Sequence, residues 1–186
     1  WLRPVEFEEV FNELPPPFDS HIDAAACVHR EHRTLVLFSC GQVLTYDASE
    51  HELNCPRITE APCATRNHPL FNELPPPFAT KIDAACCINR GKRHFVFFSS
   101  GQVMVYNASR RAMPGGRILE PPRTTKGDRV YGDLPMPFDS GISAAVCVHE
   151  GSRRLILFSR GLMMKYSAHV GGPRPRGGSK GRIIKP

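Results

Sequence analysis

Long apolar runs are missing from this chain of 186 residues, and nothing in it approaches the ~18 consecutive apolar residues of a membrane-spanning helix. Tryptophan occurs once and aromatic residues make up 9%. Neither Cys-x-x-Cys nor His-Glu-x-x-His occurs, so the seven cysteines and eight histidines have no spacing typical of a zinc site. Acidic residues are absent from the last thirteen positions, where Arg174, Arg176, Lys180, Arg182 and Lys185 crowd together. The formal charge is +6 and the pI near 9.1, a balance that permits acidic partners, nucleic acid included, without demanding them. No signal-peptide pattern is present, and Trp1 in the place of Met predicts an internal or processed segment.

Proline and glycine, by contrast, are plentiful. Eighteen Pro and fifteen Gly suit many short strands joined by turns and suit long helices badly. They fall in a repeat. Phe11-Asn12-Glu13-Leu14-Pro15-Pro16-Pro17-Phe18 returns as Phe71 to Phe78, and again as Tyr131-Gly132-Asp133-Leu134-Pro135-Met136-Pro137-Phe138. The spacing persists through Ile22, Ile82 and Ile142, through Phe38, Phe98 and Phe158, and through Tyr46, Tyr106 and Tyr166. One supersecondary unit stacked three times is expected, with units over 11–70, 71–130 and 131–186 in a single body. A residue present in every copy serves the architecture first, which weakens a catalytic reading. Ser39, Ser99 and Ser159 share one Phe-Ser-x-Gly turn and are read as hairpin residues rather than nucleophiles.

Each unit reads as four antiparallel strands. Ile22 to Val28 is short and apolar with small residues at its centre, as suits a place where strands crowd. A polar turn, His29 to Arg33, leads to Leu35-Val36-Leu37-Phe38, apolar throughout like a strand buried on both faces. Ser39-Cys40-Gly41 supplies a hairpin, with Gly free to take positive φ, and Val43 to Tyr46 is the third strand. A short fourth strand is expected at Arg57-Ile58, Arg117-Ile118 and Arg182-Ile183-Ile184. The fold class is therefore all-β, with blade-like units whose small-residue strand lies innermost.

Cys27, Cys87 and Cys147 share one position on that innermost strand and read as small core residues, while Cys86 stands where the other units have Ala26 and Val146. An odd count without a framework favours reduced thiols and an intracellular setting. The spacing leaves open a Cys55–Cys63 disulfide, and with it a secreted protein.

A unit with Ile-Asp-Ala-Ala on its first strand, an apolar strand ending in Phe, a Gly turn, an aromatic third strand and a final Arg-Ile resembles the hemopexin-like repeat. The strongest matches are Ile22-Asp23-Ala24-Ala25 and Ile82-Asp83-Ala84-Ala85, and the likeness covers about Leu14 to Ile184. The third copy reads Ile142-Ser143-Ala144-Ala145, and the Tyr-Trp pair common on the family's third strand is absent, which marks a divergent member. The resemblance implies a four-bladed β-propeller. Three blades are visible, so a fourth is expected from further chain or from a partner. It also implies that main-chain carbonyls at Asp23, Asp83 and Ser143 face a central channel and hold calcium or another ion. Calcium takes six to eight oxygens, so three carbonyls need waters or a fourth blade to complete the shell. The plainer reading of Asp23 and Asp83 is hydrogen bonding at a strand end.

The Leu-Pro-Pro-Pro-Phe runs are expected to form a rigid lead-in to each blade rather than a polyproline ligand. Between units, the connections vary. His51, Arg110, Arg111, Arg174 and Arg176 lie on them and are the candidate partner-binding residues, with a flexible basic connection over 169–181. The expected function is a non-catalytic protein-interaction or scaffold module, a structural subunit of a larger assembly with rigid blades displaying variable loops. No cofactor is required by this reading. The alternatives are contact with RNA through the basic loops of a ribonucleoprotein, and an ion or heme-type ligand in the channel.

Overall fold

A computed structural model describes residues 13–28, 34–48, 57–89, 93–109, 116–149, 153–168 and 182–183. Among these residues, twelve strands form three antiparallel four-stranded sheets, each running outward in chain order. The first holds β1 (Ala24–Cys27), β2 (Thr34–Ser39), β3 (Gln42–Asp47) and β4 (Ile58–Ala64). The second holds β5 (Ala84–Asn89), β6 (His94–Ser99), β7 (Gln102–Asn107) and β8 (Arg117–Thr124). The third holds β9 (Ala144–His149), β10 (Arg154–Ser159), β11 (Leu162–Ser167) and β12 (Arg182–Ile183). Among the described residues, no helix is long and apolar enough to cross a membrane.

The hairpins explain the most regular part of the register. Ser39 pairs with Gln42, Ser99 with Gln102 and Ser159 with Leu162, which leaves two-residue loops. Both loop residues have positive φ: Cys40 and Gly41 at 49° and 73°, Ser100 and Gly101 at 50° and 71°, Arg160 and Gly161 at 48° and 77°. That is the turn whose twist matches the flanking strands, and glycine carries its second position without a Cβ penalty. Two of the fourth strands run further than the expected Arg-Ile pairs, while β12 keeps to Arg182–Ile183. β4 and β8 continue through Pro62, Pro121 and Pro122, because an edge strand has one side on which no N–H is needed.

Packing repeats with the sequence. The face of sheet 1 carrying Ala24, Ala26, Val28, Val36, Phe38 and Val43 is covered by unit 2, through Phe71, Leu74, Phe78, Phe95, Phe97 and Tyr106. The matching face of sheet 2, with Ala84, Cys86, Ile88, Val96, Phe98 and Val103, is covered by unit 3. Phe38 meets Phe71 edge-on at 5.3 Å, and Phe98 meets Tyr131 edge-on at the same distance, so one aromatic contact serves both interfaces.

Each lead-in run turns back on itself. The Phe18 N–H donates to the Pro15 carbonyl at 2.9 Å and the Phe138 N–H to the Pro135 carbonyl at 2.8 Å, around cis peptide bonds at Pro16-Pro17, Pro76-Pro77 and Met136-Pro137. Leu14 and Phe18, like their repeats, are buried, so the run anchors the unit instead of offering an extended ligand.

Candidate functional site

Four places could carry function: the rim where the first strands begin, the cleft between those strands, a second cleft between units 1 and 2, and the uncovered face of the third sheet.

At the rim, Asp23 and Asp83 act on the hairpins. The Cys40 N–H donates to Asp23 Oδ2 at 2.6 Å, and the Ser100 N–H to Asp83 Oδ2 at 2.6 Å. In both cases the donor is the non-glycine residue with positive φ, a conformation that costs of order 1–3 kcal/mol. A hydrogen bond to a charged acceptor is worth about 1.5–3 kcal/mol, enough to offset it. The remaining oxygens pair with His21 Nε2 at 2.8 Å and Lys81 Nζ at 3.1 Å. Hydrogen bonding to Asp83, and its charge, push the Lys81 ammonium pKa above its ordinary value. Ser143 lacks the reach of a carboxylate, and its hydroxyl donates to the Phe158 carbonyl at 3.3 Å instead. The hairpin serines are buried, and the Ser159 hydroxyl is held by the Gly141 carbonyl, a structural role.

Behind the rim, β1, β5 and β9 come together around a cleft of about 210 Å³ lined by alanines with Cys27, Cys86, Cys87 and Cys147. Cys86 and Cys87 are buried; Cys27 and Cys147 are partly so. Burial pushes the Cys86 thiol pKa well up, with Cys147 and Cys87 adding to the effect, so it stays protonated and inert. Cys63 is a free thiol, raised mainly by partial burial, while Cys55 lies outside the described residues.

A second cleft, about 340 Å³, opens between units 1 and 2 beside Thr45, Glu60, His68, Phe71 and Arg93. Sequence reasoning passed over His68 and Glu60. The Leu70 N–H donates to His68 Nδ1 at 3.1 Å, which leaves the proton of the neutral ring on Nε2, 3.3 Å from Glu60 Oε2. Thr45 donates to the same carboxylate oxygen at 2.8 Å. With both ring nitrogens engaged and the side chain buried, His68 has no nitrogen free for acid–base work. Its counterpart in the repeat, Asp128, likewise accepts backbone N–H groups, from Val130 at 2.7 Å and Tyr131 at 3.0 Å. Aligning 68 with 128 was the available signal for a turn-capping role.

The third sheet is unlike the others. Phe158 is 36% exposed where Phe38 and Phe98 are 2%, and Met163 is 58% exposed where Val43 and Val103 are 0% and 2%. Val146 and Val148 are exposed on the same face. Even the hairpins differ: a Cβ on Gly41 would meet the Thr80 carbonyl of the next unit at 3.1 Å, and one on Gly101 would meet Ser140 at 3.5 Å. A Cβ on Gly161 would meet none of the described residues within 4 Å beyond its chain neighbours.

His51, Arg110, Arg111, Arg174 and Arg176, and the connection over 169–181, lie outside the described residues.

No family model matches the sequence, and no curated protein matches it either. Solved structures do match. A hemopexin-fold protein from cow pea superposes with a TM-score of 0.70 at 18% identity, over 86% of this chain and 67% of its own. A plant albumin from Cicer arietinum showing hemagglutination gives 0.67 at 15%, over 88% and 64%. A plant lectin with two metal binding sites, also from Cicer arietinum, gives 0.64 at 15%, over 88% and 66%. The fold is hemopexin-like, and the chain spans about two thirds of the length of these proteins.

Proposed function

We propose that the chain supplies three blades of a four-bladed propeller and works as a non-catalytic protein-interaction and scaffold module. The observation that carries this reading is the apolar face of sheet 3. Val146, Val148, Phe158 and Met163 occupy positions that are buried under the next unit in sheets 1 and 2. A surface of that composition stands out on a soluble domain and marks a docking face. Its complement is a lead-in turn and sheet of the same kind, carried by further chain or by a partner. Closure would bring a fourth first strand to the cleft, and with it the fourth carbonyl that an ion held at residues 23, 83 and 143 would use. Asp23, Asp83, His68 and Ser159 are held by structural partners, which supports the non-enzymatic reading.

Isolating the full chain from its source, with and without nuclease, tests the proposal. Proteins that co-purify in fixed ratio after nuclease, and are lost from a Val148→Glu/Met163→Glu variant, are the expected result. Exposed positions tolerate such changes to within about 0.5 kcal/mol, so the variant stays folded. Retention of the same partners by the variant overturns the docking face. Loss of all associated material on nuclease treatment transfers the function to nucleic-acid contact through the basic connections.

A further inference from the structure

Unit 1 differs from its two sisters at the rim in a way the sheets do not require. His21 at the end of the lead-in turn, Asp23 before β1 and Cys40 in the hairpin converge there. One ring nitrogen, one carboxylate oxygen and the sulfur all lie within 4.8 Å of one another. The same register in unit 2 reads Lys81, Asp83 and Ser100, and in unit 3 Gly141, Ser143 and Arg160. Unit 2 sets an ammonium on its aspartate, at 3.1 Å. Unit 3 has no aspartate there and carries a guanidinium on the hairpin. Only unit 1 offers nitrogen, oxygen and sulfur donors together.

We propose that His21, Asp23 and Cys40 form a site for a divalent transition-metal ion of the borderline class, with Zn2+ the best fit. Calcium and magnesium prefer all-oxygen shells, whereas zinc takes imidazole, carboxylate and thiolate in one tetrahedron. Bonds of the usual zinc lengths place neighbouring ligand atoms about 3.5 Å apart. His21 and Asp23 must open from 2.8 Å and the sulfur must close from 4.8 Å at most, and His21 and Cys40 are both exposed, so side-chain rotation suffices. The Asp23 side chain is only 9% exposed, and its orientation is set in advance by the Cys40 N–H on Oδ2, which leaves Oδ1 toward His21. Binding replaces the 2.8 Å His21–Asp23 contact with two bonds to the metal and releases the thiol proton of Cys40. The fourth position is left for water or for a ligand from outside. This site is separate from an ion held by main-chain carbonyls in the channel, because it uses side chains of one unit alone. Lys81 is the opposing charge: it lies near enough to Asp23 to sense that carboxylate, although Asp83 is its main partner.

The test uses the full chain, stripped with chelator and titrated with Co2+ and then Zn2+. One Co2+ per chain is expected, with thiolate charge-transfer absorption and the strong visible bands of tetrahedral cobalt, both displaced by Zn2+. Cys40→Ser and His21→Gln should each weaken binding at least about tenfold, with circular dichroism unchanged. Zn2+ should also slow alkylation of Cys40. Lys81→His with Ser100→Cys should build a second site in unit 2 and raise the stoichiometry to two. Cobalt spectra without thiolate character overturn the site, as does binding that survives unchanged in Cys40→Ser.

Discussion

Phe98 and Phe158 hold the same place on the second strand of two copies of one unit, and their surroundings are opposite. Phe98 is enclosed between sheets 2 and 3 and meets Tyr131 edge-on; Phe158 stands on a face that no described residue covers. The backbones around them agree strand for strand, each with its two-residue hairpin and its buried serine. The difference teaches that the repeat specifies the shape of a unit and the chemistry of both its faces. Whether a face is satisfied depends on what stands next to it. Sheet 3 carries the same apolar face as the other two, and that likeness is the ground for the proposed docking face.

The sharpest way to break the comparison is to truncate both rings. Phe98→Ala should cost about 3–5 kcal/mol, the usual loss for an enclosed phenylalanine. Phe158→Ala should cost less, about 1–2 kcal/mol, because about a third of the residue is already in water. Urea midpoints at constant m-value measure both. Equal costs would mean that the face of sheet 3 is covered in solution, and a concentration dependence of the midpoint would then identify a second copy as the cover.

The rim gives a second, smaller contrast. Asp83→Ala removes a charge-assisted hydrogen bond from a residue with positive φ and should cost about 1.5–3 kcal/mol. Its exposed pairing with Lys81 adds little to that. Ser143→Ala loses one neutral hydrogen bond and should cost about 0.5–1.5 kcal/mol. The reverse change sharpens the point. Ser143→Asp puts a carboxylate opposite the Arg160 turn, whose φ of 48° matches the 49° and 50° of its counterparts, and should raise the melting temperature. If it does not, the aspartates of the other units serve something besides their turns.

These cases also show what was legible in the sequence. The 60-residue spacing and the apolar runs placed three four-stranded sheets, because a strand buried on both faces has few ways to be polar. The full length of β4 and β8 is not legible, since Pro62, Pro121 and Pro122 look like breakers until an edge is known to need no N–H on one side. The hydrogen-bonding role of Asp23 and Asp83 was expected in kind, but its target was not. The partner amide lies 17 residues on, and only the strand pairing of Ala24 with Phe38 brings it back. The convergence of His21, Asp23 and Cys40 was hidden by the same distance, while the signal for it was present: position 40 is Cys, Ser and Arg in the three units, so the fold does not need a thiol there.

The smallest expected effect concerns the other face of sheet 3, which is as well packed as its counterpart in sheet 2. Tyr166 and Tyr106 are both fully buried, and the Tyr166 hydroxyl donates to the Val130 carbonyl. Tyr166→Phe should cost about 0.5–1.5 kcal/mol at neutral pH. Burial pushes the Tyr166 phenol up from 10.0 to about 12, with Asp133 and Asp128 adding to it, and raises Tyr106 and Tyr131 further. The native state therefore holds these protons more tightly than the unfolded chain. Their contribution to stability is whole below pH 10 and falls as the pH rises toward 12 and beyond. Unfolding followed across that range should show stability dropping with pH, less steeply in Tyr166→Phe, while phenolate absorbance lags behind that of free tyrosine. A phenolate titration at the ordinary value would mean that this face opens in solution too. The asymmetry of sheet 3 would then be a looseness of the whole unit rather than one uncovered surface.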